Sequence, residues 1–226
     1  MDKFPSLVTL LDESLHPCNS SEVKFAVRQL AAQEKARRLF VRLFEKDAYT
    51  FYHSLRVAEL VNAFGFELKL SHEELIECTL SALFHDVGKI FTPDSVLKKP
   101  GALTPEELIL MKLHAIDSQK LVESVNSLKH LGESIRSHHE RWDGKGYPDG
   151  IQGERIPWFS RLILVADTFD AMTSTRIYRK FKSSEEAYAE IERCSGTQFD
   201  PSLGPIFIQA HKKLNMSPIL REKLAA

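Results

Sequence analysis

Three times in this chain a serine or threonine stands three residues ahead of a glutamate at the head of an apolar-periodic run. Ser71 pairs with Glu74 before "HEELIECTLSALFHD", Thr104 with Glu107 around Pro105, and Ser183 with Glu186 in "SSEEAYAEIERCSG", which stops at Gly196. Each pair lets a side-chain oxygen and a backbone N–H satisfy one another at both ends of a first turn, a device specific to helix N-termini. The glycine supplies the matching stop.

The rest of the chain follows the same period. In "SEVKFAVRQLAAQEKARRLFVRLFEK", residues 21–46, Val23, Val27, Leu30, Leu39, Phe40, Leu43 and Phe44 recur at i, i+3 and i+4 with no Gly or Pro between them, which predicts one amphipathic helix. Strand signals are scarce. "RLILVAD" could be a buried strand, but "FSRLILVADTFDAMTS" as a whole has helical length. The expectation is an all-α protein. A boundary falls near residues 45–48, which divides the chain into a helical N-terminal appendage, 1–46, and a main helical domain, 47–226. The appendage either packs on that domain or makes a homodimer contact through Phe25, Leu30, Phe40 and Phe44.

Charge narrows the partners. Lys and Arg number 30 against 31 Asp and Glu, so no global basic field exists to attract a nucleic acid polymer or an anionic membrane. No run approaches the ~18 apolar residues of a membrane span, and no cleavable leader is visible. Cys18, Cys78 and Cys194 are odd in number and have neither disulfide nor zinc spacing. These features together predict a cytoplasmic protein with free thiols.

The chemistry lies in the histidines. His53, His85 with Asp86, His114, the doublet His138–His139 and Asp167 all fall in or beside apolar helical stretches. A buried polar group without a partner costs roughly 1–3 kcal/mol, and a charge costs more, so several on core-facing stretches need a common explanation. A shared metal cluster is one. Five imidazoles and two carboxylates supply donors for a pair of first-row ions, and an aspartate can bridge because each oxygen can take one ion. Two ions about 3.5–4 Å apart would hold a bridging hydroxide and clamp a phosphate.

Taken singly, any of these histidines is better read as an ordinary surface or hydrogen-bonded residue, and that reading is kept for His16, His72, His130 and His211. Lys89 could be a solvated helix-end lysine, but three residues past Asp86 its ammonium could also reach a phosphate. Turn chemistry explains the Gly and Asp of "DGKGYPDG", but it does not require Tyr147.

"HDVGK", then "HHERWDGKGYP", then "ADTFDAMTSTRIYRKFKSSEEAYAEI" and "GTQFDP" together resemble the HD-GYP family, a branch of the HD phosphohydrolase superfamily, from about Asp47 to about Ala210. The resemblance implies an HD-type helical bundle with extra C-terminal helices and a centre of two divalent ions, iron or manganese. The implied activity is hydrolysis of cyclic di-GMP by attack of a metal-bridging hydroxide on phosphorus. By motif position the ligands would be His53, His85, Asp86, His114, His138, His139 and Asp167, with Asp86 and Lys89 catalytic. Tyr147, Asp170, Arg176 and Arg179 would meet the nucleotide, the arginines through phosphate and Asp170 through a guanine edge.

Some family members carry a glutamate one turn before the first histidine; here Tyr49 stands there. A phenol with a pKa near ~10 is a poor ligand, so two metals are expected rather than three, with Tyr49 as an aromatic wall over the cluster. The first 46 residues are too few for a sensor domain of roughly 100 residues; a signalling protein partner is a separate expectation. Two alternatives remain: an HD-type phosphohydrolase of another nucleotide, and a cyclic dinucleotide sensor or adaptor without turnover.

Overall fold

Helix α2, Ala48–Glu67, runs through the centre of the molecule and carries Phe51, Leu55, Val57, Ala58, Val61 and Phe64 into the core. The computed structural model describes residues 25, 26, 28, 33–174 and 182–224, with side chains through residue 214. Before α2 comes α1, Glu34–Lys46. After it come α3, His72–Phe84, and, past a 3₁₀ turn at Val87–Phe91, the short α4, Asp94–Leu97. Helix α5 spans Pro105–Glu123 and leads through a second 3₁₀ turn, Asn126–Leu131, into α6, Gly132–Arg136. A long loop with a 3₁₀ turn at Gly153–Arg155 precedes α7, Trp158–Thr173; α8, Ser184–Arg193, and α9, Leu203–Leu224, complete the order. Among the described residues the only β-type pairing is an isolated bridge, Ser195 with Phe199.

The three capping boxes form as expected, at Ser71/Glu74, Thr104/Glu107 and Ser183/Glu186, each with both reciprocal bonds. Asp47 ends α1 with an extended backbone, and its carboxylate accepts from the Thr50 amide at 3.0 Å, starting α2. The apolar "LILVAD" run is the buried stripe of α7.

The single helix expected over 21–46 is broken. Gln33 has an extended backbone (φ −101°, ψ 109°) and acts as the N-cap of α1, although no Gly or Pro marks the position. Its side-chain oxygen accepts from the Ser127 hydroxyl, a contact across the fold. Tertiary packing overrides local propensity here. Ala36, Leu39, Phe40 and Leu43 of α1 belong to the same core as α2, α3 and α7. Phe40 meets the rings of Phe51 and Phe84 at 5.9 and 4.7 Å, and Phe44 meets Phe51 at 5.3 Å. Phe40 is therefore buried in this core and Phe44 packs half-buried against it. Leu30 lies outside the described residues, and Phe25 is exposed.

Helix α2 packs against α1, α3, α7 and α9, while α5 lies on the Val87–Phe91 turn and on α6. One glycine permits that approach. A Cβ on Gly88 would stand 2.2 Å from the His114 carbonyl oxygen and 2.5 Å from the Ser118 amide nitrogen, whereas the real glycine donates its N–H to Ser118 Oγ at 2.7 Å. The Gly of "HDVGK" thus brings the Asp86 turn against the helix that carries His114. None of the described helices is long and apolar enough to cross a membrane.

Candidate metal centre

His85 is the C-cap of α3, and the chain then turns at Asp86 (φ −102°, ψ 4°) into the 3₁₀ turn, so the two side chains leave a helix end together. Both are buried, at 0% and 1% exposure. Around them lie His53 from α2, His114 from α5, His138 and His139 just past α6, and Asp167 from α7.

The donor atoms fall into two groups that share one residue. Asp86, His114, His138 and His139 form one, and His53, His85 and Asp86 the other; within each group the candidate ligand atoms lie within 4.8 Å of one another. Asp86 Oδ1 faces His114 Nε2 at 3.3 Å, while Oδ2 faces His85 Nε2 at 3.4 Å and His53 Nε2 at 3.7 Å. Each oxygen of the carboxylate therefore addresses a different set of imidazoles. Asp167 lies outside both compact groups yet spans them, with Oδ1 3.0 Å from His53 Nε2 and Oδ2 3.9 Å from His139 Nδ1.

Four histidines are aimed by the same kind of contact. The Nδ1 of His85, His114 and His138 donates to the carbonyl three residues earlier, of Ala82, Met111 and Ile135, at 2.6–2.7 Å. His53 Nδ1 donates instead to Asp170 Oδ2 at 2.7 Å. Fixing Nδ1 as the donor turns Nε2 inward, the outer-shell arrangement typical of metal-ligating histidines. His85 Nε2 and Asp86 Oδ1 are buried and find no hydrogen-bond partner among the described residues. Orphaned atoms of this kind, within a cluster of nitrogen and oxygen donors, fit divalent transition ions.

The electrostatics agree with that fit. Burial pushes His114 down to about 4 and His139 down to about 3, and burial with the neighbouring His139 holds His138 well below the usual range. All three are neutral donors at pH 7. Burial opposes the Asp86 charge, but Lys89 and then His85 and His114 outweigh it and hold the carboxyl well below its ordinary value. His53 behaves oppositely: burial pulls it down, yet its hydrogen bonds to Asp167 and Asp170, aided by the charges of Asp167 and Asp86, raise it to about 9.

Lys89 reaches back to Asp86, Nζ to Oδ2 at 2.6 Å. Tyr147 covers the other side, its ring 4.7 Å from that of His139 and 6.4 Å from that of His114, and its amide donates to the His139 carbonyl at 3.2 Å. Gly146 makes this possible, since a Cβ there would stand 2.4 Å from the Arg141 nitrogen and 2.6 Å from the His139 carbonyl oxygen. The doublet is a candidate ligand pair with its covering loop folded directly back on it.

Two expectations are corrected. The Asp170 carboxylate is buried and already engaged: it accepts from His53, from Arg56 at 2.6 and 2.9 Å, and from Ser174 Oγ at 2.9 Å. Its lone pairs are spent within the chain, so it orients a candidate ligand and does not present a guanine contact. Tyr49 is no wall over the cluster. It is 36% exposed, and the Arg56 guanidinium lies 5.8 Å from its ring, on the outer side of the Asp170 pair. The aromatic against the ligands is Tyr147. Arg176 and Arg179 lie outside the described residues.

Sequence reasoning missed Arg56 and Glu140. Arg56 follows His53 by three residues and so shares its helix face, a spacing that pointed to it. Glu140 is buried beside His139 and accepts from the Asp149 and Gly150 amides at 2.6 and 3.0 Å, holding the far end of the Tyr147 loop. Among the histidines read as ordinary, His130 pairs with Glu77 at 3.2 Å and His211 is buried against the Tyr188 hydroxyl at 2.6 Å; His16 is outside the described residues.

Residues 26–203 match the HD domain family. Among characterised relatives, a cyclic di-GMP phosphodiesterase of Thermotoga maritima is 40% identical over 171 residues, covering 75% of this chain and 46% of the relative. A 3′3′-cGAMP-specific phosphodiesterase of Vibrio cholerae is 41% identical over 141 residues, covering 62% of this chain and 33% of the relative. The chain thus spans half or less of the length of these relatives. In fold it is similar to an HDGYP protein of Bdellovibrio bacteriovorus, with a TM-score of 0.61 at 20% identity, covering 92% of this chain and 69% of that one.

Proposed function

The chain belongs to the HD domain family, with the motifs of its HD-GYP branch, and from that premise we propose that it is a metal-dependent phosphodiesterase that hydrolyses a cyclic dinucleotide, cyclic di-GMP first among them. The observation that carries the reading is Asp86, whose Oδ1 addresses His114 and whose Oδ2 addresses His85 and His53, while Oδ1 and His85 Nε2 are buried without a hydrogen-bond partner among the described residues.

In this reading His53, His85, Asp86, His114, His138, His139 and Asp167 hold two divalent ions, iron or manganese. Bound there, the ions would supply Lewis-acid charge and an activated water for attack on phosphorus. The chain's own residues do the rest. Lys89 keeps a positive charge beside Asp86, where negative charge grows on a phosphoryl group in the transition state. The carbonyls of Ala82, Met111 and Ile135 keep three imidazoles in one tautomer, and Tyr147 excludes water from the His139 side. Arg176 and Arg179, outside the described residues, are assigned to substrate phosphate by motif position and by the guanidinium's fit to phosphate.

A second substrate, 3′3′-cGAMP, is suggested by the Vibrio cholerae relative, 41% identical over 141 residues against 40% over 171 for the cyclic di-GMP enzyme. Metal-loaded protein is assayed with each dinucleotide, with and without a chelator. Hydrolysis of cyclic di-GMP that is lost on chelation supports the proposal; turnover of 3′3′-cGAMP alone shifts the substrate. Inactivity on both overturns the proposal.

A further inference from the structure

Lys112 lies on α5 two residues before His114, half-buried, with its ammonium 5.0 Å from the centroid of the Tyr147 ring. That ring is itself fixed to the candidate centre, through the Tyr147 amide on the His139 carbonyl and through its contact with the His139 imidazole. Helix and loop therefore hold the cation in place from both sides. Among the described residues, four other cations are already engaged: Lys89 with Asp86, Arg56 with Asp170, Arg136 with Asp149 and Arg141 with Asp143. Lys112 makes no ion pair among the described residues. A contact with an aromatic face stabilises an ammonium without consuming any of its N–H donors.

A cyclic dinucleotide carries two phosphodiester charges, and hydrolysis attacks one of them. We infer that Lys112 is a binding residue for the second, uncleaved phosphate, held over the Tyr147 ring at the rim of the metal centre. The inference rests on the proposed substrate class and adds a residue that neither the motifs nor the ligand geometry assigns. Its effect is on recognition of a two-phosphate substrate, because the cation stands beside the covering aromatic and not against Asp86.

The test compares cyclic di-GMP with bis(4-nitrophenyl) phosphate, a diester with one phosphate, in metal-loaded wild type, Lys112→Met and Lys112→Arg of matched metal content. The Met variant keeps the stem and loses the charge. The ratio of kcat/KM for the dinucleotide to that for the one-phosphate diester should fall about ten-fold in Lys112→Met, the size expected for one charge-assisted contact. Lys112→Arg should recover it to within about three-fold. By calorimetry, the Kd of a phosphorothioate analogue of cyclic di-GMP should rise by the same factor. An unchanged ratio and Kd in Lys112→Met overturn the inference alone, as does an equal loss in Lys112→Arg, which would mean that packing against Tyr147 is what matters. A wild type that cleaves the one-phosphate diester but no cyclic dinucleotide overturns the substrate reading and this inference together.

Discussion

His53 donates its Nδ1 proton to Asp170 across 2.7 Å, and Arg56 grips the same carboxylate from the outer side with two bonds. This relay sets the tautomer and direction of the one candidate ligand contributed by α2. Asp170→Asn keeps the shape but removes the charge that pairs with Arg56. Metal affinity should fall ~10–100-fold, the usual cost of losing an outer-shell partner, as read by competition with a chromogenic chelator. Wild-type affinity in Asp170→Asn would return that carboxylate to the nucleotide side.

Lys89 reaches the cluster through Asp86, at 2.6 Å from Oδ2, so its loss should spare the metals. Lys89→Ala should keep its bound ions while kcat falls by ~10²-fold, because the charge acts chiefly in the transition state. Steady-state kinetics beside metal analysis checks this. An effect confined to KM would make the contact ordinary ground-state binding.

Much of this was legible in the sequence, for physical reasons. A capping box is local, so Ser71/Glu74, Thr104/Glu107 and Ser183/Glu186 marked helix starts without knowledge of the fold. The gathering of His53, His85, Asp86, His114, His138 and His139 was legible because polar residues on apolar stretches need a common partner. The break at Gln33 was not, since its cause is the Ser127 hydroxyl far along the chain. Nor was the use of Asp170. Its spacing from Asp167 gives the helix face, but only the approach of α2 to α7 shows that His53 and Arg56 consume the carboxylate.

Gly88 lets the Asp86 turn lie on α5, where an added Cβ would meet backbone atoms that cannot swing aside. Gly88→Ala should therefore cost at least ~2 kcal/mol of stability, measured by urea unfolding of the chelated protein. A loss under ~0.5 kcal/mol would show that the turn and α5 separate freely.

Tyr49 stands one turn before His53, on the outer side of the Arg56–Asp170 pair. Position 49 carries no carboxylate, so native protein should hold two ions, and a third should bind only in Tyr49→Glu. Metal counting across the two proteins decides it, and equal counts would remove position 49 from the control of stoichiometry.

The most direct test of the central claim is the number of iron or manganese ions bound per chain in protein purified anaerobically without chelator, by elemental analysis, with Asp86→Ala measured alongside. Two ions in the wild type, with a large loss in the variant, is the result expected if one carboxylate joins two sets of histidines. A single ion, or two that survive removal of Asp86, would contradict a centre bridged by that residue.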